Sequence, residues 1–195
     1  MSDPVDICNM ALASLSVELI EGLTDTSLQA KLCDGLYPLC RDRLQATGYF
    51  DFVNQNLLLE DPAISPPDNW GYSHYFDLPL DTLRINSVSS APETVRPTGW
   101  QQIGMVLATT FSPAYTNLAL REEDSTVFPP LFVDALAALL SAELALALTK
   151  DQELYKLRHT MYVQKLSDAK GNDYGYRKRN DRSMSKIRAS RFRGW

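Results

Sequence analysis

Paired carboxylates are the residues of this sequence whose type and spacing could support a reaction. The candidates are a run of three acids and two spaced pairs: Glu122, Glu123 and Asp124, Glu18 with Glu21, and Asp77 with Asp81. A glycoside hydrolase needs two carboxylates about 5–9.5 Å apart across a sugar-binding cleft, and a tighter cluster would suit a metal ion or an acid–base pair. Consecutive acids in a loop rarely converge on one point, so we interpret the run as a solvated acidic turn. Acids at the two wider spacings occur by chance in any acidic chain.

A short aromatic stretch is the second candidate site. Four rings at near-alternating positions could stack on bases or sugars: Trp70, Tyr72, Tyr75 and Phe76. Alternating aromatic residues in a strand are more often core residues, and we interpret them so.

Metal-binding and nucleotide-binding motifs are absent from the sequence. It contains no phosphate-binding glycine loop, no nucleophile elbow and no H-E-x-x-H helix, and its two histidines, His74 and His159, lie far apart. The three cysteines, Cys8, Cys33 and Cys40, form no C-x-x-C pair and fall on apolar helix faces, which is typical of reduced core thiols. We therefore expect no enzymatic activity, no cofactor and no metal.

Charge is distributed unevenly along the chain. Residues 177–195 carry eight basic side chains against one acid, a net charge of +7, so the net charge of −5 for the whole chain leaves −12 for the remainder. A basic arm on an acidic body is a common layout for a segment that binds an anionic partner outside its own domain. Nucleic acid and an acidic protein surface both qualify as that partner.

Two amphipathic helices are predicted at the start of the chain. Asp3 and Pro4 form a favourable helix start, and Thr26 or Ser27 caps a second helix. The predicted apolar face of this second helix consists of Leu28, Leu32, Leu36, Leu39 and Leu44. Pro38 predicts a kink or break near Asp34 and Gly35. Arg43 projects from the same face, either as a snorkelling arginine at the edge of the core or as half of an interface ion pair.

The middle of the sequence has β character. Short β-prone runs at 72–78, 83–88, 105–110 and 117–120 are separated by prolines and glycines, which predicts a small antiparallel β-rich insertion.

Two helices are predicted after the insertion. Residues 131–148 are apolar or alanine except for Asp134, Ser141 and Glu143. Two carboxylates in so short a run argue against a membrane span, since an acid at mid-bilayer costs about 2.5–3.5 kcal/mol. The two acids lie on opposite sides of the helix, so we expect it to be covered nearly all round, by other helices or by a neighbouring subunit through Ala138, Ala142 and Ala145.

The last helix is predicted to be capped by Thr149 and to end at Gly171 and Asn172. The basic tail that follows is predicted to be disordered by itself.

Four segments in order resemble the head-to-tail adaptor family of short-tailed bacteriophages, also called tail accessory factor or tail tubular protein A. Residues 6–15, DICNMALASL, are similar to the D/E-I-C-N-x-A-L-x-x-L/I start of that family, and AKLC at 30–33 with YPLCRD at 37–42 resembles its second helix. Residues 70–84, WGYSHYFDLPLDTLR, resemble its W-x-Y-x-Y-x-L-P-x-D-x-L-R element, and FPPLF at 128–132 completes the pattern. The chain departs from it at 49–52, YFDF, where the family has W-x-F.

The resemblance implies a structural virion protein with an α+β, mainly α fold. It implies a helical bundle of about four helices with a small antiparallel β-rich insertion and an extended C-terminal tail, divided at 1–48, 49–128, 129–170 and 171–195. About a dozen copies would form a ring in the virion tail, between the portal protein and the tail nozzle with its fibre or tailspike proteins, and DNA would pass through the lumen during ejection. With no secretory signal or lipid anchor at the N-terminus, synthesis and assembly are expected in the host cytoplasm, without membrane insertion.

The basic tail is the predicted portal-binding segment. Its positive charge would meet an acidic groove, and its few apolar residues would fill pockets on the portal. The predicted contact residues are Arg177, Lys178, Arg179, Arg182, Lys186, Ile187, Arg188, Arg191, Phe192, Arg193 and Trp195. Two alternatives remain open: a nucleic-acid-binding module that uses the same arm, and a tail-associated cell-wall hydrolase.

Overall fold

The computed structural model describes residues 3–48, 50–60, 71–91 and 99–191, with residues 172–191 described by their backbone alone. Within these residues the fold is α+β and mainly α, with four helices and two small antiparallel sheets, as predicted. The chain divides into two compact units. A helical unit comprises Met1–Leu44, Gly48–Phe50 and Asp124–Trp195, and a β unit comprises Gln45–Thr47 and Asp51–Glu123.

The first two helices begin as their sequence predicts. In α1, Pro4–Ser14, the Asp6 carboxylate accepts a hydrogen bond from the Asp3 backbone N–H (3.1 Å). In α2, Leu28–Thr47, the Ser27 hydroxyl accepts one from the Ala30 N–H (3.2 Å). The connection between them is held by Asn9, whose side-chain amide both donates to and accepts from the Ile20 backbone (2.9 Å each).

Pro38 does not break α2. The prediction was a kink or a break near Asp34 and Gly35. The helix is continuous from Leu28 to Thr47, so the break is wrong, and the kink stays a prediction. A proline inside a helix removes one backbone hydrogen bond, and α2 tolerates that loss.

Helix α3, Pro130–Thr149, is the centre of the helical unit and contacts both α1 and α4, Gln152–Arg191. Its hydropathy leaves it with hardly any polar face, so it must be covered by other helices. Among the described residues it is the one helix long and apolar enough to cross a membrane, and 61% of its most apolar window is buried inside the structure. The predicted covering of this helix by its neighbours is therefore observed within the chain.

Helix α4 begins and ends differently from its prediction. The Asp151 carboxylate, and not Thr149, accepts hydrogen bonds from the first N–H groups of the helix, at Glu153 (2.9 Å) and Leu154 (3.1 Å). Lys150 adopts a left-handed conformation that ends α3 and displaces the cap by two residues. The backbone then stays helical through Gly171 to Arg191, so the predicted end at Gly171 and Asn172 is wrong, and the segment to Arg191 is helical and not extended. A glycine inside a helix costs only about 1 kcal/mol.

The β unit is built from two three-stranded antiparallel sheets. The first has the order β1 (Asn54–Leu59), β6 (Ala114–Leu120), β3 (Thr82–Ser89), and the second the order β2 (His74–Asp77), β5 (Val106–Thr109), β4 (Trp100–Ile103). Apolar residues of both sheets form one core, including Phe76, Val88, Leu107 and Leu118. The four predicted β-prone runs overlap β2, β3, β5 and β6, whereas β1 and β4 were not predicted.

Candidate interaction surfaces

Helix α2 packs through a different face from the predicted one. Its buried residues recur at helical spacing and are small or thiol-bearing over much of the helix: Ala30, Cys33, Tyr37, Cys40 and Leu44. Of the five predicted face residues, only Leu44 is buried. The prediction was based on the leucines, whereas tertiary packing buries this narrower stripe of α2, and its Cys33 lies beside Cys8 of α1.

The remaining leucines of α2 form an apolar surface, which we call the outer leucine face. Leu28 and Leu39 are 61% and 62% exposed, and Leu32 and Leu36 are half-buried. Leu28 and Leu39 are eleven residues apart, which at 100° per residue returns to the same side of the helix. A Cβ added to Gly35, which lies between them on that side, would meet no atom within 4 Å. These leucines are therefore accessible on one side of α2, and Arg43 follows them on the same side toward the end of the helix.

Arg43 forms an ion pair within the chain. Its Nη1 donates to Oε1 of Glu143 on α3 at 2.6 Å, and the guanidinium is more than half exposed. The hydrogen bond to Glu143 raises the pKa of Arg43, against the effect of burial. Exposed pairs of this kind contribute about 0–1 kcal/mol. Arg43 therefore combines parts of both predicted roles. It lies at the edge of the core, and it forms an ion pair, but its partner Glu143 belongs to α3 of the same chain.

The three thiols lie in the core of the helical unit and are free, as predicted. A hydrogen bond from the Cys8 thiol to Cys33, together with burial, raises the pKa of Cys8, and the same bond lowers the pKa of Cys33. Burial raises the pKa of Cys40 to about 12. All three cysteines are thus packing residues in this structure.

The three alanines predicted at a subunit contact are not equivalent. Ala142 and Ala145 are 1% and 0% exposed, inside the core of the unit, and they have no surface left for a second subunit. Ala138 is partly exposed and lines a small cavity beside α1 and α4. The sequence could not separate them, because all three have the spacing and size of helix-contact residues.

The predicted portal-binding residues lie at the C-terminal end of α4 and beyond it. The backbone of residues 177–191 is helical, so the basic residues there belong to a continuation of α4. Their side chains are outside the described part of the structure, and so are Phe192, Arg193 and Trp195 entirely. Portal binding by this segment stays a prediction.

An asparagine network crosses the outer face of the first sheet. Asn86 Nδ2 donates to Oδ1 of Asn54 and to Oδ1 of Asn117, both at 2.7 Å, and Asn117 Nδ2 donates to Oδ1 of Asn56 at 2.6 Å. At one end, Arg84 donates to Oδ1 of Asn86 (2.8 Å). The face continues into a groove of about 390 Å³ bordered by Tyr115 and serines of β3. These hydrogen bonds hold the amide groups of this polar surface in fixed orientations. In the sequence, the surface is indicated only by asparagines at strand positions.

Of the carboxylates and aromatic residues considered above, Glu18 and Glu21 are brought together, since both line one surface pocket with Asp25. Glu18, Glu21, Glu123 and Asp77 are exposed, and Asp124 caps a short 3₁₀ turn at Ser125–Val127. The hydrogen bonds from Thr126 lower the pKa of Asp124. Tyr75 and Phe76 are core residues, as interpreted, and Trp70 is outside the described residues. No group of three or more metal-binding side chains occurs among the residues described.

Comparison with known proteins adds no family assignment. No protein-family model matches the chain, and no curated protein matches it at a significant level. The class that the fold defines is therefore the coarse one: a mainly helical α+β protein with a β unit inserted between its second and third helices.

Proposed function

We propose that this chain is a head-to-tail adaptor of a short-tailed bacteriophage, a structural protein that forms a ring between the portal and the tail nozzle. The observation that carries the proposal is the outer leucine face of α2. The four segments that resemble the adaptor family, in the same order along the chain, point to the same function, as does a helical unit interrupted by a β unit.

The outer leucine face supports assembly because a soluble monomer has no need to expose such a surface. Isolated exposed leucines are ordinary, but contiguous apolar surface on one helix face usually marks an interface. A ring is built from heterologous contacts, in which one patch of a subunit meets a different patch of the next. Helix α4 offers a second patch, since Leu157 is 56% and Met161 37% exposed one turn apart.

The C-terminal part of α4 supports attachment to a separate partner. A helix of 40 residues is about 60 Å long, and its second half contains most of the +7 segment. Aliphatic residues are sparse there, so the segment has little with which to bury itself against its own chain. Aromatic and arginine residues supply much of the binding energy at protein interfaces, and the end of the chain is rich in both.

The direct test is the mass of the assembled protein. The purified chain is mixed with the portal protein of the same virus, and the products are measured by native mass spectrometry and imaged by cryo-electron microscopy. A ring of chains on the portal is the expected result.

Deletion of residues 177–195 is expected to abolish attachment while leaving the melting temperature nearly unchanged. If the truncated chain binds the portal with normal affinity, the role of the segment is wrong, and if no ring forms with the full chain, the proposed function is wrong.

Nucleic-acid binding is the second candidate function, and the charge of the C-terminal segment favours it. Its affinity would fall by about one power of salt concentration for each phosphate contacted. The −12 charge of the remaining residues would oppose the same polyanion. An electrophoretic shift at two salt concentrations distinguishes the two candidates, because a steep loss of binding to duplex DNA with salt is expected only for the second.

A further inference from the structure

A small cavity in the helical unit has an unusual set of polar walls. It encloses about 100 Å³ beside α1, α3 and α4, and its polar lining consists of Ser14, Ser141, Arg158 and Lys165. Two partly exposed methionines, Met10 and Met161, complete much of its border. Two of the four polar side chains are cations, and no carboxylate belongs to the lining formed by the described residues.

The two cations come from the same side of α4. Arg158 and Lys165 are seven residues apart, which is close to two helical turns, so both side chains leave the helix in nearly the same direction. Both cations line the same cavity, so an anion bound there would lie near two positive charges.

The hydrogen bonding of Arg158 is incomplete within the described residues. Its Nη2 donates to the Ser14 carbonyl oxygen and its Nη1 to the Met161 sulfur, which is a weak acceptor at 3.6 Å. Its Nε is buried and has no acceptor there. A buried donor without a partner costs about 1–3 kcal/mol, more when it is charged. One of the three guanidinium nitrogens thus lacks an acceptor among the described residues, which an oxygen atom of a bound ligand would supply.

The hydroxyl groups on the opposite wall are fixed in place. Ser14 Oγ donates to the Ala11 carbonyl oxygen (2.7 Å), and Ser14 and Ser141 are joined through their hydroxyl oxygens at 2.6 Å. They form a polar wall between α1 and α3 that contributes no negative charge. The cavity is thus bordered by two cations on one element and by neutral hydroxyls on the others.

We propose that this cavity binds a small oxyanion of the phosphate type. A guanidinium fork and an ammonium group are the usual partners of phosphoryl oxygens. A water molecule takes about 30 Å³ of liquid, so the cavity has room for about three waters or for one compact tetrahedral anion. The bound anion would connect α4 to the wall made by α1 and α3. The argument for this site does not use the proposed adaptor role, although Met161 at its border also belongs to the second apolar patch of α4.

The test uses the full chain and measures the melting temperature and heat of binding with inorganic phosphate, against chloride at matched ionic strength. Phosphate is expected to raise the melting temperature and to bind measurably. Lys165→Met is expected to weaken binding at least about tenfold, the loss of one charge-assisted hydrogen bond, and Arg158→Gln to weaken it further. The matched control is Lys156→Met, since Lys156 is on the same helix, is exposed and pairs with Glu153 at 2.8 Å; it should bind phosphate normally.

Two further arms identify the source of the anion. Sulfate tests a free tetrahedral anion without a proton, and glycerol phosphate tests a phosphoryl group carried by a larger molecule. If either one binds to the unmodified chain and not to Lys165→Met, the site is supported and the class of its ligand is identified. If Arg158→Gln fails to fold because the Ser14 contact is lost, Lys165→Met alone decides. No difference between phosphate and chloride, or full phosphate binding by Lys165→Met, would overturn the proposal.

Discussion

Two leucines five residues apart on α2 should respond in opposite ways to truncation. Leu44 is 0% exposed and Leu39 is 62% exposed. Removing a fully buried leucine side chain costs about 2–5 kcal/mol, whereas a substitution on an exposed surface usually changes stability by less than about 0.5 kcal/mol. Leu44→Ala should therefore destabilise the helical unit strongly, and Leu39→Ala hardly at all.

The difference is large enough to read from thermal unfolding. For a chain of this size, 1 kcal/mol shifts the melting temperature by roughly 2–4 °C, so Leu44→Ala should lower it by roughly 4–20 °C and Leu39→Ala by at most about 2 °C. Far-ultraviolet circular dichroism is the appropriate signal because it follows the helices. Equal losses in the two variants would show that the packing face of α2 is not the one described here.

The same helix then tests assembly. Leu39→Glu places a charge on the outer leucine face without touching the core, so the monomer should keep its melting temperature and lose the ability to form a ring. Native mass spectrometry of the variant with the portal gives the answer. A Leu39→Glu chain that assembles normally would refute the use of this face as an interface.

Three further predictions follow from burial and hydrogen bonding. Ala145→Glu should unfold the helical unit, because it places a charge in the core, whereas Ala138→Glu should remain folded, as judged by circular dichroism; the opposite ranking would contradict the packing of α3. Burial raises the pKa of the Cys40 thiol to about 12 in the folded chain. Because the unfolded chain loses this proton at lower pH, the free energy of unfolding should fall as the pH rises from about 9 toward 12. Urea titrations of the protein and of Cys40→Ala should diverge in that range. Gln45→Ala should destabilise the β unit by about 1–3 kcal/mol, since its buried amide donates to and accepts from the Glu122 backbone (2.8 and 3.0 Å), and hydrogen exchange at the Glu122 amide should report the loss.

Predicting this fold from sequence succeeded where one strong signal was present. Helix α3 has no broad polar face, so its sequence predicts a covered helix. The start of α1 follows from Asp3 and Pro4 in the same direct way, because a cap acts on its own backbone. The β unit was recognisable from its prolines and short apolar runs, although the polar strand β1 (NQNLLL) lacks the β-branched residues that mark a strand.

The prediction failed where two local patterns competed. In α2 the leucines and the cysteine stripe both have helical spacing, and only tertiary packing decides which of the two is buried. At the start of α4, Thr149 and Asp151 are both good caps, and the left-handed conformation of Lys150 selects the second. The cavity beside Arg158 and the asparagine network combine residues from distant parts of the chain, so neither could be assembled without the structure.

The asparagine network also contains a site at which this protein should undergo slow deamidation. Asparagine side chains lose ammonia slowly in solution and become aspartate, and Asn86, which a small serine follows, is a natural place for this reaction. The product would be a carboxylate, which accepts hydrogen bonds but, when ionised, cannot donate to Asn54 and Asn117 as the amide does. One slow chemical event would therefore remove two hydrogen bonds from the row of amides and turn the contact with Arg84 into an ion pair.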